Sequence, residues 1–162
     1  MKILEATTII AIVKEINCPS LFDKIIQLKH DLVIPNYVFS EILDKKSVNI
    51  CKKMISKGEL KISNLNSLQE IDDFQKTYPY LGKGEVDSML HFQKLSKKHK
   101  VYCIIDDGRA RKVAKSKNIN FTGLLGLLKI LNDRKILNNS EYDNIIYKLK
   151  KSNFRIPEEF VK

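Results

Sequence analysis

Cysteine is scarce in this sequence. Cys18, Cys51 and Cys103 are the only three; they lie far apart and none forms a C-x-x-C pair. That excludes a disulfide framework and a thiolate zinc site, and it fits a reducing cytoplasm. Histidine is equally sparse. His30, His91 and His99 show no metal-ligand spacing, and each reads as a solvated or half-buried side chain. No uncharged apolar run approaches the ~18 residues of a membrane span, so no membrane association is expected. The opening stretch MKILEATTIIAIVKE is apolar but carries Glu5. It has neither a charged leader nor a small-residue cleavage site, so it reads as a buried strand rather than a signal peptide. Internal repeats, low-complexity tracts and Gly/Ser linkers are absent, which points to a single domain over residues 1–162. Nucleotide and nucleophile motifs are missing too. GKGEVDS lacks P-loop spacing, TGLLG is no dinucleotide fingerprint, and there is no G-x-S-x-G elbow. The TGLLG glycines read instead as allowing a turn and close helix packing.

What is present is apolar and basic. Hydrophobic residues make up 43% of 162, enough for a substantial core. Lys and Arg number 29 against 19 Asp and Glu, a net charge of +10 that favours polyanionic partners. Short apolar runs alternate with helical patterns. KIL, DLVIP, ELKISNL, VYCII and INF read as strands. Helices are expected from the threonines at 7 and 8, from Ser20 as a cap, from Asn36 as a possible cap and continuing through SVNICKKMISKG, and over SLQEIDDFQKTY, GKGEVDSMLHFQKL and GRARKVAKSKN. Two or three more follow, with C-terminal helices from about residue 124. Unbroken apolar strands separated by helices predict an α/β fold, a three-layer α/β/α sandwich around a mainly parallel sheet.

A parallel sheet places its ligands outside the carboxyl ends of its strands. Glu5 ends the first strand, and Asp106 and Asp107 end VYCII. Glu41 lies one helical turn after DLVIP. Glu85 opens a helix after Gly82 and Gly84, with Asp87 close by. Carboxylates gathered at one rim repel each other unless a cation offsets them. Mg²⁺ and Mn²⁺ take oxygen ligands, couple carboxylates to phosphates and assist phosphodiester cleavage. Lys83, Arg109, Arg111 and Lys112 lie near the same rim, where they could meet backbone phosphate. Plainer roles exist for the pieces: Glu41 as a solvated helix residue, Glu85 as a helix-start carboxylate, and one of Asp106 and Asp107 as a cap. Glu5, inside an apolar segment, is the hardest to read so plainly, because an unpaired carboxylate is costly to bury. The reading aims Asp107 into the acidic pocket and leaves Asp106 as cap, support or alternative ligand.

In their joint order, LEATTII, IPNYVFSEI, LGKGEVDSM, DDGRARKVA and TGLLGLLKIL resemble the PIN-domain family of metal-dependent nucleases, and more narrowly a prokaryotic PIN-like subfamily. KILNNSEYDNIIYKLKKSNFRI resembles that subfamily's closing helices, so the likeness covers nearly the whole chain. The resemblance implies a metal cluster of Glu5, Glu41, Glu85 and Asp107, with Asp106 and Asp87 as alternatives and Thr7 supporting the first carboxylate. It also implies Mg²⁺- or Mn²⁺-dependent cleavage of single-stranded RNA. A small antitoxin partner and a homodimer are further implications, since many relatives are toxins and many dimerise. Two positions depart from the pattern: Glu5 stands where active members usually carry Asp, and Ile105 where many carry Thr or Ser. The alternative reading is a catalytically degenerate PIN-like module that binds RNA or a protein.

Overall fold

The computed structural model describes residues 1–154 and 156. Strands β1 (Lys2–Leu4), β2 (Leu32–Pro35), β3 (Lys61–Ser63), β4 (Tyr102–Ile104) and β5 (Phe121–Thr122) form one sheet in the order β3-β2-β1-β4-β5. Every neighbouring pair is parallel. Lys2 is in register with Leu32 on one side and Tyr102 on the other, so β1 is the central strand. The order reverses between β1 and β4, and the crevice beyond their carboxyl ends is where an open sheet of this kind receives a ligand.

The pleat divides the core between two faces. Leu4, Leu32, Ile34 and Ile104 pack on one side, and Ile3, Cys103 and Ile105 on the other. The first face is covered by α1 (Ala6–Ile10), α2 (Leu21–Ile26), α4 (Lys45–Ser56), α8 (Leu124–Asp133) and α9 (Asn139–Lys151), whose apolar residues join Leu4 and Ile34. The second is covered by α5 (Leu68–Thr77), α6 (Lys83–Leu95) and α7 (Gly108–Ser116), through Ile71, Val86, Met89, Ala110 and Val113. The short α3 (Asn36–Glu41) packs against α6 and sends Val38 into the first core. The α/β sandwich expected from sequence is therefore the observed fold. The expected helices form in the described residues, with α8 starting at Leu124, but the helix from Asn36 does not continue into SVNICKKMISKG: α3 stops at Glu41, Ile42 turns extended, and α4 starts anew at Lys45 behind the Asp44 cap. The end of NFRI and the six residues after it lie outside the described residues, apart from Ile156.

The caps differ in detail. Neither Thr7 nor Thr8 caps α1, because Glu5 takes the N-cap place in extended backbone, φ −99° and ψ 158°. Ser20 precedes α2 with helical angles, so its hydroxyl makes no cap bond. Asn36 is the first helical residue of α3, preceded by Pro35. Side-chain capping occurs elsewhere, at Asp44, at Ser67 with Glu70, and at Asn138 with Glu141. After α1 the helix widens into a π-helical segment, Ala11–Glu15, where Ile16 N–H donates to Ala11 O at 3.0 Å. Such segments are rare and recur at functional sites.

Candidate metal centre

Glu5 leaves the end of β1 at the switch point and turns inward. It is 3% exposed, and its Oε1 has no hydrogen-bond partner. A buried carboxylate oxygen without a donor is costly, so the group resists ionisation. Burial is the first cause that lifts its pKa well above 4.5, followed by the charges of Glu85, Asp106, Asp107 and Glu41. Those are four of the five other carboxylates that the sequence places at or near this rim; Asp87 is the one the fold does not bring into the field of Glu5.

Each of the four is held by the backbone. Glu41 ends α3, and its Oε1 accepts from Gly84 N–H at 2.8 Å. A Cβ on Gly84 would press onto Glu41 Oε2, so glycine lets this close approach form. Glu85 accepts from Gly82 N–H at 2.8 Å in the first turn of α6. Burial pushes its pKa up, that hydrogen bond opposes the shift, and Asp107 and Glu41 add to it. Glu5, Glu41 and Glu85 line one cavity of about 220 Å³ together with Thr7 and Val38.

The aspartate pair divides its work differently from the sequence expectation. Asp107 is the N-cap of α7; its Oδ1 accepts from Arg109 N–H at 2.8 Å and Ala110 N–H at 2.9 Å. Asp106 is the more buried, with its side chain 11% exposed against 36% for Asp107. It accepts from Thr8 Oγ1 at 2.8 Å and from Leu124 N–H, at the start of α8, at 2.9 Å. Burial raises its pKa, opposed by those two hydrogen bonds and by Arg111. The cap expected of Asp106 is thus made by Asp107, because the residue directly before α7 has the extended backbone that reaches its first amides.

Three further expectations change. Thr7 is exposed and bonds no carboxylate; the supporting hydroxyl is Thr8, one residue on, which α1 turns inward to Asp106. Asp87 does not stand ready as a ligand. Its Oδ2 accepts from Tyr37 N–H at 3.1 Å, its Oδ1 from Asn66 Nδ2 at 2.8 Å, and His91 Nδ1 lies 3.0 Å from Oδ1. His91, expected to be solvated or half-buried, is fully buried there, with Nε2 3.1 Å from Ser63 Oγ. The i, i+4 spacing of Asp87 and His91 was the available signal. Among the basic residues, Lys83 pairs with Asp72 at 3.5 Å. Arg111 donates to Ile105 O at 2.8 Å and lies 3.6 Å from Asp106. Arg109 and Lys112 are exposed.

Among the described residues, no three His, Cys, Asp or Glu side chains converge closely enough to enclose an ion as they stand. Four of the carboxylates instead rest on backbone amides or Thr8. The donor chemistry nonetheless fits a hard divalent cation: all five groups offer oxygen, and Glu5 Oε1 is unsatisfied. Glu5, Glu41, Glu85 and Asp106 are the residues that would hold such an ion, with Asp107 beside them.

A parallel sheet with carboxylates gathered around its switch point defines an α/β protein with an acidic rim. A family model described as a PIN domain matches residues 1–162, and the chain belongs to the PIN-domain family. PIN domains have a nuclease-type fold and generally use divalent metals. No curated protein and no solved structure matches the chain. Among the described residues, no helix is long and apolar enough to cross a membrane.

Proposed function

We propose that this protein is a ribonuclease that cleaves single-stranded RNA with Mg²⁺ or Mn²⁺. The observation that carries the reading is Glu5. A buried carboxylate with an unpartnered oxygen, inside the field of four others, is an arrangement that a divalent cation relieves. A bound ion of this kind offsets phosphate charge and makes water a better nucleophile. The chain's own residues do the rest. Thr8 and the Leu124 amide hold Asp106 at the switch point. Gly84 and Gly82 hold Glu41 and Glu85 in the cavity they share with Glu5. Arg109 and Lys112 attract the RNA backbone from the exposed face of α7. Toxin activity restrained by a small antitoxin, and a homodimer, belong to the same reading.

Purified protein is incubated with single-stranded RNA and Mn²⁺. Cleavage is expected from the wild type, and a loss of about a hundredfold or more from Glu5→Gln and from Asp106→Asn. Equal cleavage by all three would remove the site from the reaction. One observation favours the second reading, a degenerate binding module: the side chains do not converge into a ready-made metal group. That reading requires that millimolar Mn²⁺ leave the melting temperature unchanged while RNA still binds in a salt-sensitive way.

A further inference from the structure

Two cavities lie beside the acidic rim and share a wall. The first, of about 330 Å³, is lined in part by Asp106, Asp107 and Thr7. Ile10, Ala11 and Phe154 give it an apolar lining, and Glu15 and Asn153 complete it. The second, of about 420 Å³, shares Glu15 and Asn153 with the first and adds Tyr147, Lys148 and Lys151. Tyr147 is 60% exposed, and Lys151 Nζ lies 5.8 Å from its ring centre. Both basic residues belong to the last turn of α9. The π-helical segment supplies Ala11 and Glu15 to the first cavity, so the rare backbone geometry falls on this wall.

From acidic rim to α9 the surface therefore changes from carboxylate to apolar to cationic and aromatic. We propose that the two cavities form one track for single-stranded RNA, with a nucleobase in the first cavity and the adjoining phosphate and base on Lys148, Lys151 and Tyr147. The inference rests on the nuclease reading only for the location of the cleaved bond, at the acidic end. The first cavity has the size and apolar lining of a small-ligand pocket, and Phe154 offers a base a stacking face. Away from Asp106 and Asp107, its polar acceptor is the Glu15 carboxyl group. Glu15 selects a base edge rich in N–H donors, such as that of guanine, over the acceptor-rich edge of uracil. The second cavity supplies what a phosphate needs, two ammonium groups beside an aromatic ring. The opposed charges at the two ends orient the strand.

The test is fluorescence anisotropy with labelled hexaribonucleotides that carry one central guanosine or uridine, with Ca²⁺ replacing Mn²⁺ so that binding is read without cleavage. The wild type is expected to bind the guanosine hexamer about tenfold more tightly than the uridine one. Lys148→Ala with Lys151→Ala should weaken binding about tenfold and lower the log–log salt slope by about 1.4, near 0.7 per lost contact. Phe154→Ala should cost about tenfold for both hexamers. Glu15→Ala should erase the guanosine preference and leave uridine binding as it was. Melting curves identify any variant that fails to fold, and Lys148→Gln with Lys151→Gln then replaces the alanine pair. Wild-type affinity, preference and salt slope in all these variants, or no binding by the wild type, would overturn the track. Cleavage in Mn²⁺ is scored separately. Binding through these residues without any cleavage keeps the track and removes the nuclease reading. Cleavage with binding indifferent to these residues does the reverse.

Discussion

Glu5 and Asp87 are buried to nearly the same degree, 3% and 1% exposed, yet their surroundings are opposite. Asp87 meets the Tyr37 amide, the Asn66 amide group and His91, and so joins α3, the loop before α5, and α6. His91 extends the network to Ser63 at the end of β3, and Asn66 Oδ1 is the one atom it leaves unpaired. Glu5 has no donor on Oε1 and four carboxylates around it. A satisfied buried charge holds elements together. An unsatisfied one among like charges works against the fold, and it persists where something outside the chain completes it. The contrast separates the carboxylate that serves the structure from the one that awaits a ligand.

The largest expected effect comes from breaking the satisfied side. Asp87→Ala leaves His91, Asn66 and the Tyr37 amide without their acceptor, and should cost about 3–5 kcal/mol in a urea melt. A loss below ~1 kcal/mol would mean that the network is replaceable. Glu5→Gln should act in the opposite direction. In the unfolded chain Glu5 ionises near pH 4.5, while in the fold it keeps its proton to higher pH. The folded state thus binds more protons above pH 4.5, and wild-type stability falls as pH rises from there until the folded pKa is passed. Glu85 and Asp106, both raised, add to the same decline. Without metal at pH 7, Glu5→Gln should gain about 1–3 kcal/mol and flatten the pH profile. Mn²⁺ should raise the melting temperature of the wild type and not of the variant.

Smaller effects sharpen the comparison within the rim. Thr8→Val removes the hydroxyl that donates to Asp106 and should cost about 1–2 kcal/mol, whereas Thr7→Ala should stay within about 0.5 kcal/mol. Equal losses would undo the assignment of support to Thr8. Gly84→Ala should cost only about 1 kcal/mol or less, since the added Cβ meets the movable end of Glu41. Its mark is a weaker melting response to Mn²⁺, because Glu41 is displaced from the cavity it shares with Glu5 and Glu85.

Much of this is legible in the chain's one-dimensional pattern. The runs KIL, LVIP and YCI have to be buried strands, and Glu5 and Asp106–Asp107 have to lie at strand ends, because apolar periodicity and βαβ order leave few other arrangements. What is not legible turns on rotations of about 100° per residue along a helix. Whether Thr7 or Thr8 faces inward depends on where α1 begins, and it begins at Ala6. Which aspartate caps α7 depends on the residue at which β4 gives way to helix. The Asp87–His91 pair is visible as a spacing, but its burial requires Asn66 and Ser63, which come from outside its own helix. Glu15 is silent in sequence, because a π-helical turn carries no short-range signature that distinguishes it from an α-helix.

The sequence by itself determined the α/β class, the parallel sheet and the set of carboxylates at its carboxyl edge, since these follow from hydrophobic pattern and chain order. The tertiary structure decided which carboxylates are satisfied. Asp87 is completed by groups far along the chain, and Glu5 is left facing its own kind. Hydrogen-bond satisfaction is a property of three-dimensional neighbours, and a one-dimensional pattern does not contain it.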